Sequence, residues 1–399
     1  MSFAADTPAP WPLVPDWSQP VIETLAWLTD VMQASRSASS QHRMLRATPR
    51  RGFAWRSLAE GQDRRVADLL LADRGGSTWW VPVWPDVQVL DNAIPAFAID
   101  LPCRTAGFDF TAPGHALLWR SPREWSVVEV QTIEIDGLML AEPSVSAWPV
   151  GTLLLPLRAG RIGEAPEEQA LTDELGARNS VAAAVIEPCD WPAAMPTATT
   201  YRTFPVLEWR PEESEPPSSS APRTLGIVDN ETAQPVVVDM IERALRAQGH
   251  TWQLQGRDTQ AAWRSLLYAL AGRANPVWVP SWTADLRVVA AISALTTFIT
   301  VEWTGYTLFG RQQAGLRDVR IELWNGTAFC RRITASVQGA ETETLQLDAA
   351  LGQAVAVADI RQVCWLRLCT LASDTVEIRH LTDADGVAQC RLAFSEVAE

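Results

Sequence analysis

The side chains that could do chemistry are few and scattered. The 399 residues hold four histidines, His42, His115, His250 and His380, and none stands three or four residues from another ligand on one helical face. That spacing predicts structural histidines, exposed or hydrogen-bonded, and no metal site. Six cysteines, Cys103, Cys189, Cys330, Cys364, Cys369 and Cys390, form no C-x-x-C pair and read as reduced, mostly buried small hydrophobes. Cys364 and Cys369 lie in one strand-like run at an odd spacing, which puts them on opposite faces and argues against a bridge. All 33 basic residues are arginine. A chain without lysine has no amine for a Schiff base and no Walker lysine for a phosphate. There is no G-x-S-x-G elbow, H-E-x-x-H or G-x-G-x-x-G, and no cysteine in a papain-like context. Acidic residues such as Glu129 and Glu134, or the run over 164–174, have the residue type of glycosidase carboxylates. With 47 acidic residues such pairs arise from abundance alone, and they read as solvated faces. The expectation is a protein that is not an enzyme and takes no cofactor or metal.

The elements that would position any site follow from composition and repetition. A 47% hydrophobic and 20% charged chain is that of a folded protein, with a length suited to two or three domains. The net charge of −14 argues against broad binding to nucleic acid or an anionic membrane. The longest apolar stretches, 286–299 and 181–186, fall short of the roughly 20 residues a membrane helix needs. Residues 1–15 lack a basic start followed by an apolar run, so no secretory leader is expected, and synthesis in a cytosol is.

The sequence repeats itself. Arg43-Met44-Leu45-Arg46-Ala47 recurs as Arg243-Ala244-Leu245-Arg246-Ala247, followed by the strand signals Phe53-Ala54-Trp55 and Trp252-Gln253-Leu254. Apolar-periodic segments over 66–74 and 263–273 then predict one helix in each copy, ending at Gly75-Gly76 and Gly272. Both run into one string: Trp80-Val81-Pro82-Val83-Trp84 with Asp86, and Trp278-Val279-Pro280-Ser281-Trp282 with Asp285. Between the copies, residues 210–223 carry no large apolar side chain and predict an extended linker. The organisation expected is a first repeat domain over 1–210, a Pro/Ser/Glu-rich linker over 211–222 and a second repeat domain over 223–399.

Each copy reads as mainly β. Short β-rich runs cover 117–119, 125–135, 138–140, 153–157 and 203–209 in the first copy. In the second they cover 298–303, 319–324, 328–337, 344–347, 363–369 and 375–379. Many short strands at close spacing predict a sandwich or barrel, so the fold class expected is two duplicated β-sandwich or barrel-like domains, each with one embedded helix. A further helix is expected over 20–34, where Val21, Leu25, Leu28, Val31 and Met32 fall at helical spacing.

Pro82 and Pro280 cannot donate to a ladder, so each belongs at an edge, a strand end or a bulge. If the strand continued, Trp80, Pro82 and Trp84 would share one face, as would Trp278, Pro280 and Trp282. Such a pair of tryptophans could be a carbohydrate-stacking platform or a partner-contact shelf, or it could cap the domain core with each indole N–H on a carbonyl. A core element must recur in a duplicated protein while a binding site rarely does, which favours the core reading. Arg46 and Arg246, with Asp86 and Asp285, occupy matching places. They predict one Arg–Asp bridge per half, setting strand register.

Several stretches resemble minor tail proteins of long, non-contractile-tailed bacteriophages. Residues 17–56 are similar to the start of such proteins, with Leu25, Trp27, Asp30 and Val31 followed by Gln41-His42-Arg43-Met44-Leu45-Arg46 and Pro49-Arg50-Arg51. Residues 266–273 followed by Pro276-Val277-Trp278-Val279-Pro280-Ser281-Trp282 and Asp285 resemble a helix and strand of distal-tail and tail-tip proteins. The order Trp125, Leu138, Pro143, Trp148, Gly151, Pro156 and Arg158, and the end over 372–394, fit the same pattern. The resemblance implies a structural part of the tail tip or baseplate in the virion, made in the host cytoplasm. It implies a homo-oligomeric ring between the tail tube and the hub, fibre or receptor-binding proteins. Function should then reside in surfaces such as residues 211–222 and the loops over 159–178. A receptor- or carbohydrate-binding tail protein using surface tryptophans is the alternative, and a cell-wall hydrolase a further one.

Overall fold

A computed structural model describes residues 8–34, 37–163, 166–196, 199–382 and 385–397. The chain is mainly β, and among the described residues the only α-helices are α1 (Gly61–Arg74) and α2 (Arg257–Leu270), one in each half. The strand Arg50–Glu60 shows why the sequence makes sheet here. Arg51, Phe53, Trp55, Ser57 and Ala59 alternate inward, and the residues between them are more exposed.

The two halves share pairing as well as order. Arg50–Glu60 leads through α1 to Trp79–Pro82, and Ala247–Gln255 leads through α2 to Val277–Pro280. Trp79–Pro82 lies antiparallel to Leu153–Ile162 with Val81 opposite Arg158, and Val277–Pro280 lies antiparallel to Ile360–Leu371 with Val279 opposite Arg367. Gly114–Ser121 and Asp318–Leu323 also pair with these long strands, and Leu175–Val185 and Val387–Glu396 cover the strands before the helices. Each half also carries a hairpin lobe with a register shift, Glu124–Glu134 with Gly137–Leu140 and Ala328–Gln338 with Thr342–Leu347. Each half thus buries one core beside its helix and one in its lobe, around Leu118, Val130 and Leu138 or around Ile321, Leu345 and Leu347. The second half adds a smaller cluster of Val206, Trp278, Leu366 and Leu368.

The helix expected over 20–34 is absent. Residues 21–26 form the strand Val21–Ala26, and Thr29–Gln33 pairs with Ser40–Met44 as a separate hairpin. Val21, Glu23 and Leu25 are the buried positions, a period of two that the apolar residues alone do not display because Glu23 is one of them. β-Branched Val21, Ile22, Thr24, Thr29 and Val31 suit the pleated surface.

That strand also alters the expected division of the chain. Val21–Ala26 is antiparallel to Arg50–Glu60 on one side and to Thr375–His380 on the other. Val21 packs with Phe53 and Trp55, whereas Leu25 and Trp27 pack with Trp252, Trp263 and Leu371. Near the other end of the 1–210 span, Val206 bridges to Trp278 and Leu207 is buried among second-half residues. Residues 1–210 are therefore not a self-contained unit.

The linker over 211–222 is docked. The Glu212 amide donates to the Thr251 carbonyl, and Ser218–Ser220 pairs with Ala247–Gln255. Backbone hydrogen bonds hold this segment, and they need no apolar side chain. Residues 159–178, expected as surface loops, include parts of the strands Leu153–Ile162 and Leu175–Val185, with Ile162, Ala177 and Arg178 buried. Glu164 of the acidic run lies outside the described residues.

Candidate functional site

Pro82 and Pro280 are each the last residue of their strand, which alters the geometry expected of the tryptophans. Past Pro82 the chain turns into the short 3-10 segment Trp84–Asp86, and Trp282 adopts φ +57. Neither Trp84 nor Trp282 therefore continues the face of its neighbour. Trp84 and Trp278 are buried, the latter with Nε1 donating to the Tyr201 carbonyl at 2.7 Å. Trp80 is half-buried with its ring centroid 4.2 Å from that of His115. Trp282 is also half-buried, with the guanidiniums of Arg210 and Arg320 over its ring at 5.3 and 5.0 Å. The four do not make a shelf.

The two expected Arg–Asp bridges do not form. Arg46 donates to the Ala26 carbonyl, and the Arg246 amide to Glu396. Asp285 accepts from Ser281 and from the Trp365 amide, so it fixes the end of its own half's strand. Asp86 is fully buried and accepts from Arg257 Nη1 at 2.6 Å and from the Asp109 amide at 2.7 Å. Its arginine comes from the opposite half.

Asp86 belongs to a buried charge cluster between the halves. Glu23 accepts from Arg51 Nε at 2.8 Å, from Arg264 Nη2 at 3.1 Å and from His380 Nε2 at 2.9 Å. Asp109 is paired with both Arg51 and Arg158, and Arg158 also reaches Glu187 at 3.3 Å. Four guanidiniums thus face the buried carboxylates of Glu23, Asp86 and Asp109 and the less buried Glu187. Two of the guanidiniums also lie over aromatic rings, Arg264 4.6 Å from Trp191 and Arg51 4.8 Å from Phe53.

Burial would raise the Glu23 carboxyl, but Arg264, Arg51 and His380 together hold it well below its ordinary value. Asp109 is likewise raised by burial and more strongly lowered by Arg51, Arg158 and Arg264, to about 2. Burial pushes His380 down despite its contact with Glu23, so the imidazole is neutral and donates from Nε2. Carboxylates this firmly ionised cannot deliver a proton near neutral pH. Such a cluster is strongly destabilised when one partner is removed, because the other is left charged and dry.

Glu23, Arg51, Asp109, Arg158, Arg257, Arg264 and His380 were invisible to motif reading. The one local signal was Arg257 and Arg264, seven apart and so on one face of α2. Of the other histidines, His42 lies between Ser40 Oγ and the Arg273 carbonyl, and His250 is buried. The six cysteines are free, four of them buried. Among the described residues no three His, Cys, Asp or Glu side chains gather at metal-binding distance, and no helix is long and apolar enough to cross a membrane.

The lobe ends carry the other notable feature. Ile94 pairs with Trp148 in one lobe, and Ile292 with Val355 in the other. Three residues past these isoleucines, Phe97 and Leu295 are 75% and 90% exposed. Two residues past their partners, Val150 and Val357 are exposed too, as are Ile133 and Val337 close to the ends of the hairpin strands. Exposed large apolar side chains at one place are ordinary, and here the same set recurs at matching places in both halves. The chain matches no protein-family model, and no curated protein is significantly similar to it.

Proposed function

We propose that the protein is a structural component of the tail tip or baseplate of a long, non-contractile-tailed phage, acting through assembly and not through catalysis. The reading rests first on the paired exposed lobe ends, Phe97, Ile133 and Val150 with Leu295, Val337 and Val357. Two like surfaces on one subunit suit a closed ring, because each can contact a neighbour. The ring would join the tail tube to hub, fibre or receptor-binding proteins, in keeping with the resemblance of the sequence to minor tail proteins. The charge cluster supports the same reading, since it gives the two halves a common rigid frame. The alternative of a tryptophan-lined carbohydrate platform loses ground, with Trp84 and Trp278 inside the protein.

Cryo-electron microscopy of the virion tests this directly, with a ring of this chain at the tail tip as the expected result. Phe97→Asp with Leu295→Asp should leave the monomer folded and remove the ring. Intact infectious tails lacking the protein, or turnover of peptidoglycan or polysaccharide by the purified chain, would refute the reading.

A further inference from the structure

The repeated ladder puts a buried arginine at one position in each half, and the two differ in what meets one edge of the guanidinium. Arg158 donates from Nε to Asp109 Oδ2 at 3.2 Å and from Nη2 to Asp109 Oδ1, while Nη1 reaches Glu187. Arg367 bonds through Nη1 alone, to the Gln248 amide oxygen. Its Nε is buried without a partner, and no carboxylate forms an ion pair with it among the described residues. The edge that grips a carboxylate in the first half is bare in the second. At 5% exposure neither water nor an anion offsets the lost hydration of that charge, which makes the bare edge a costly feature to keep.

The ladder shows where the missing acid would stand. Asp109 lies six residues ahead of His115, which faces Leu157 across the ladder. In the second half Asp318 faces Leu366 at the equivalent register, and six residues ahead of it is Gln312. The segment over 303–317 holds no acidic residue and two arginines, Arg311 and Arg317. An uncharged amide thus takes the register position of the first half's carboxylate.

Beside Arg367 is a cavity of about 280 Å³, lined by Gln312, Arg317, Arg243, Glu396, Trp278 and Leu368 among others. The acids near it are already committed. Asp318 accepts from Arg332 and from the Tyr201 hydroxyl, and Glu396 accepts from the Arg246 amide with Arg243 3.6 Å away. Asp285 acts on Arg367 only from a distance and is itself held by Ser281 and the Trp365 amide. Arg317 is exposed, and its side chain makes no ion pair among the described residues.

We propose that this cavity binds a carboxylate supplied from outside the chain, which takes the bare Nε and Nη2 edge of Arg367 and is flanked by Arg317. The first half selects the occupant, because the same edge of Arg158 holds a carboxylate through two parallel hydrogen bonds. The small volume suits a short dicarboxylate or one acidic side chain of another protein. The site does not depend on the assembly reading, which stands or falls separately.

Titration calorimetry of the full chain at constant ionic strength tests the proposal, with succinate as one probe and an acetylated, amidated diglutamate peptide as the other. At least one should bind saturably and raise the melting temperature. Gln312→Glu keeps the shape of the side chain and supplies the carboxylate from within. It should raise the melting temperature without ligand and weaken binding by at least about tenfold. Arg317→Gln, an exposed substitution, should weaken binding about threefold to fivefold. Tighter binding of succinate would identify a free small carboxylate, and tighter binding of the peptide an acidic side chain of a partner. Inorganic phosphate should bind more weakly than either, and phosphate binding more tightly would overturn the assignment to a carboxylate. No saturable binding of either probe, or a Gln312→Glu variant with unchanged affinity or no gain in melting temperature, overturns the proposal.

Discussion

The two helices occupy the same place in the repeat and have the same length, yet they do different work. In α1 only Ala67 is buried, and the charged residues meet partners outside the helix: Arg64 with Glu168, Arg65 with Glu174 and Asp68 with the buried Arg178. In α2 seven residues are buried, among them Trp263, Leu266, Leu267 and Leu270, together with Arg257 and Arg264. The arginines reach across to Asp86 and Glu23, so α2 is wedged between the halves and α1 lies outside. Duplication preserved the geometry, and what each copy faces decided its charges.

A second pair sharpens the point. Arg158 and Arg367 are both buried opposite the valine of the repeated tryptophan-valine-proline string. Burial would lower Arg158, but Asp109 raises it above the ordinary arginine value. Arg367 donates to the Gln248 amide oxygen at 3.0 Å instead, and burial leaves it lowered. The ladder position is common to both halves, but only the first half surrounds its arginine with contacting carboxylates.

The largest contrast should come from removing equivalent charges. Arg264→Ala should destabilise the protein by about 3–5 kcal/mol, since Glu23 loses a buried partner. Asp68→Ala, at the corresponding turn of α1, should cost less, because its buried partner Arg178 keeps Glu168 as a second carboxylate. Urea denaturation decides, and equal losses would break the comparison. The repeated tryptophans should differ less. Trp278→Ala should cost about 3–5 kcal/mol through its cavity, and Trp80→Ala about half as much, because Trp80 is half-exposed.

Acid should separate the halves in order. His250 is pushed down to about 4 by burial and is therefore neutral in the folded protein at pH 7. The unfolded chain takes up that proton first, near pH 6.5, so stability falls between about pH 6.5 and 4, by about 3 kcal/mol in all. Asp109 has the reverse ancestry: its charged form is the one stabilised, and its contribution is lost only as pH falls from about 4 to about 2. Urea midpoints against pH should show the first loss shrink in His250→Gln, with the share owed to His380 left, while the second remains. The smallest effect belongs to Arg65→Ala, whose exposed bridge to Glu174 should be worth no more than about 0.5 kcal/mol by the same measurement.

Much of the fold was legible because it is local. Periodicity found both embedded helices, and most of the β-rich runs coincide with strands, from 125–135, which overlaps Glu124–Glu134, to 363–369 inside Ile360–Leu371. The exposed lobe ends left a trace, since Ile94 and Phe97 recur as Ile292 and Leu295 at the spacing of the repeated string. That these side chains face solvent could not be read, because an isolated apolar residue looks the same buried or exposed.

The charge cluster was not legible at all. Its members come from opposite ends of the chain, Glu23 with His380 and Asp86 with Arg257, and a glutamate on the inward face of a strand looks like an error until its cations are in place. Hydrophobic alternation and proline chemistry act between residues a few positions apart, so the β class and the duplication could be read from the sequence, with Pro82 and Pro280 limited to an edge, a strand end or a bulge. Which carboxylate meets which arginine, and which of two like helices is buried, depends on how the halves pack. Only the tertiary structure decided that, because the energy of a charge depends on what surrounds it far more than on its own identity.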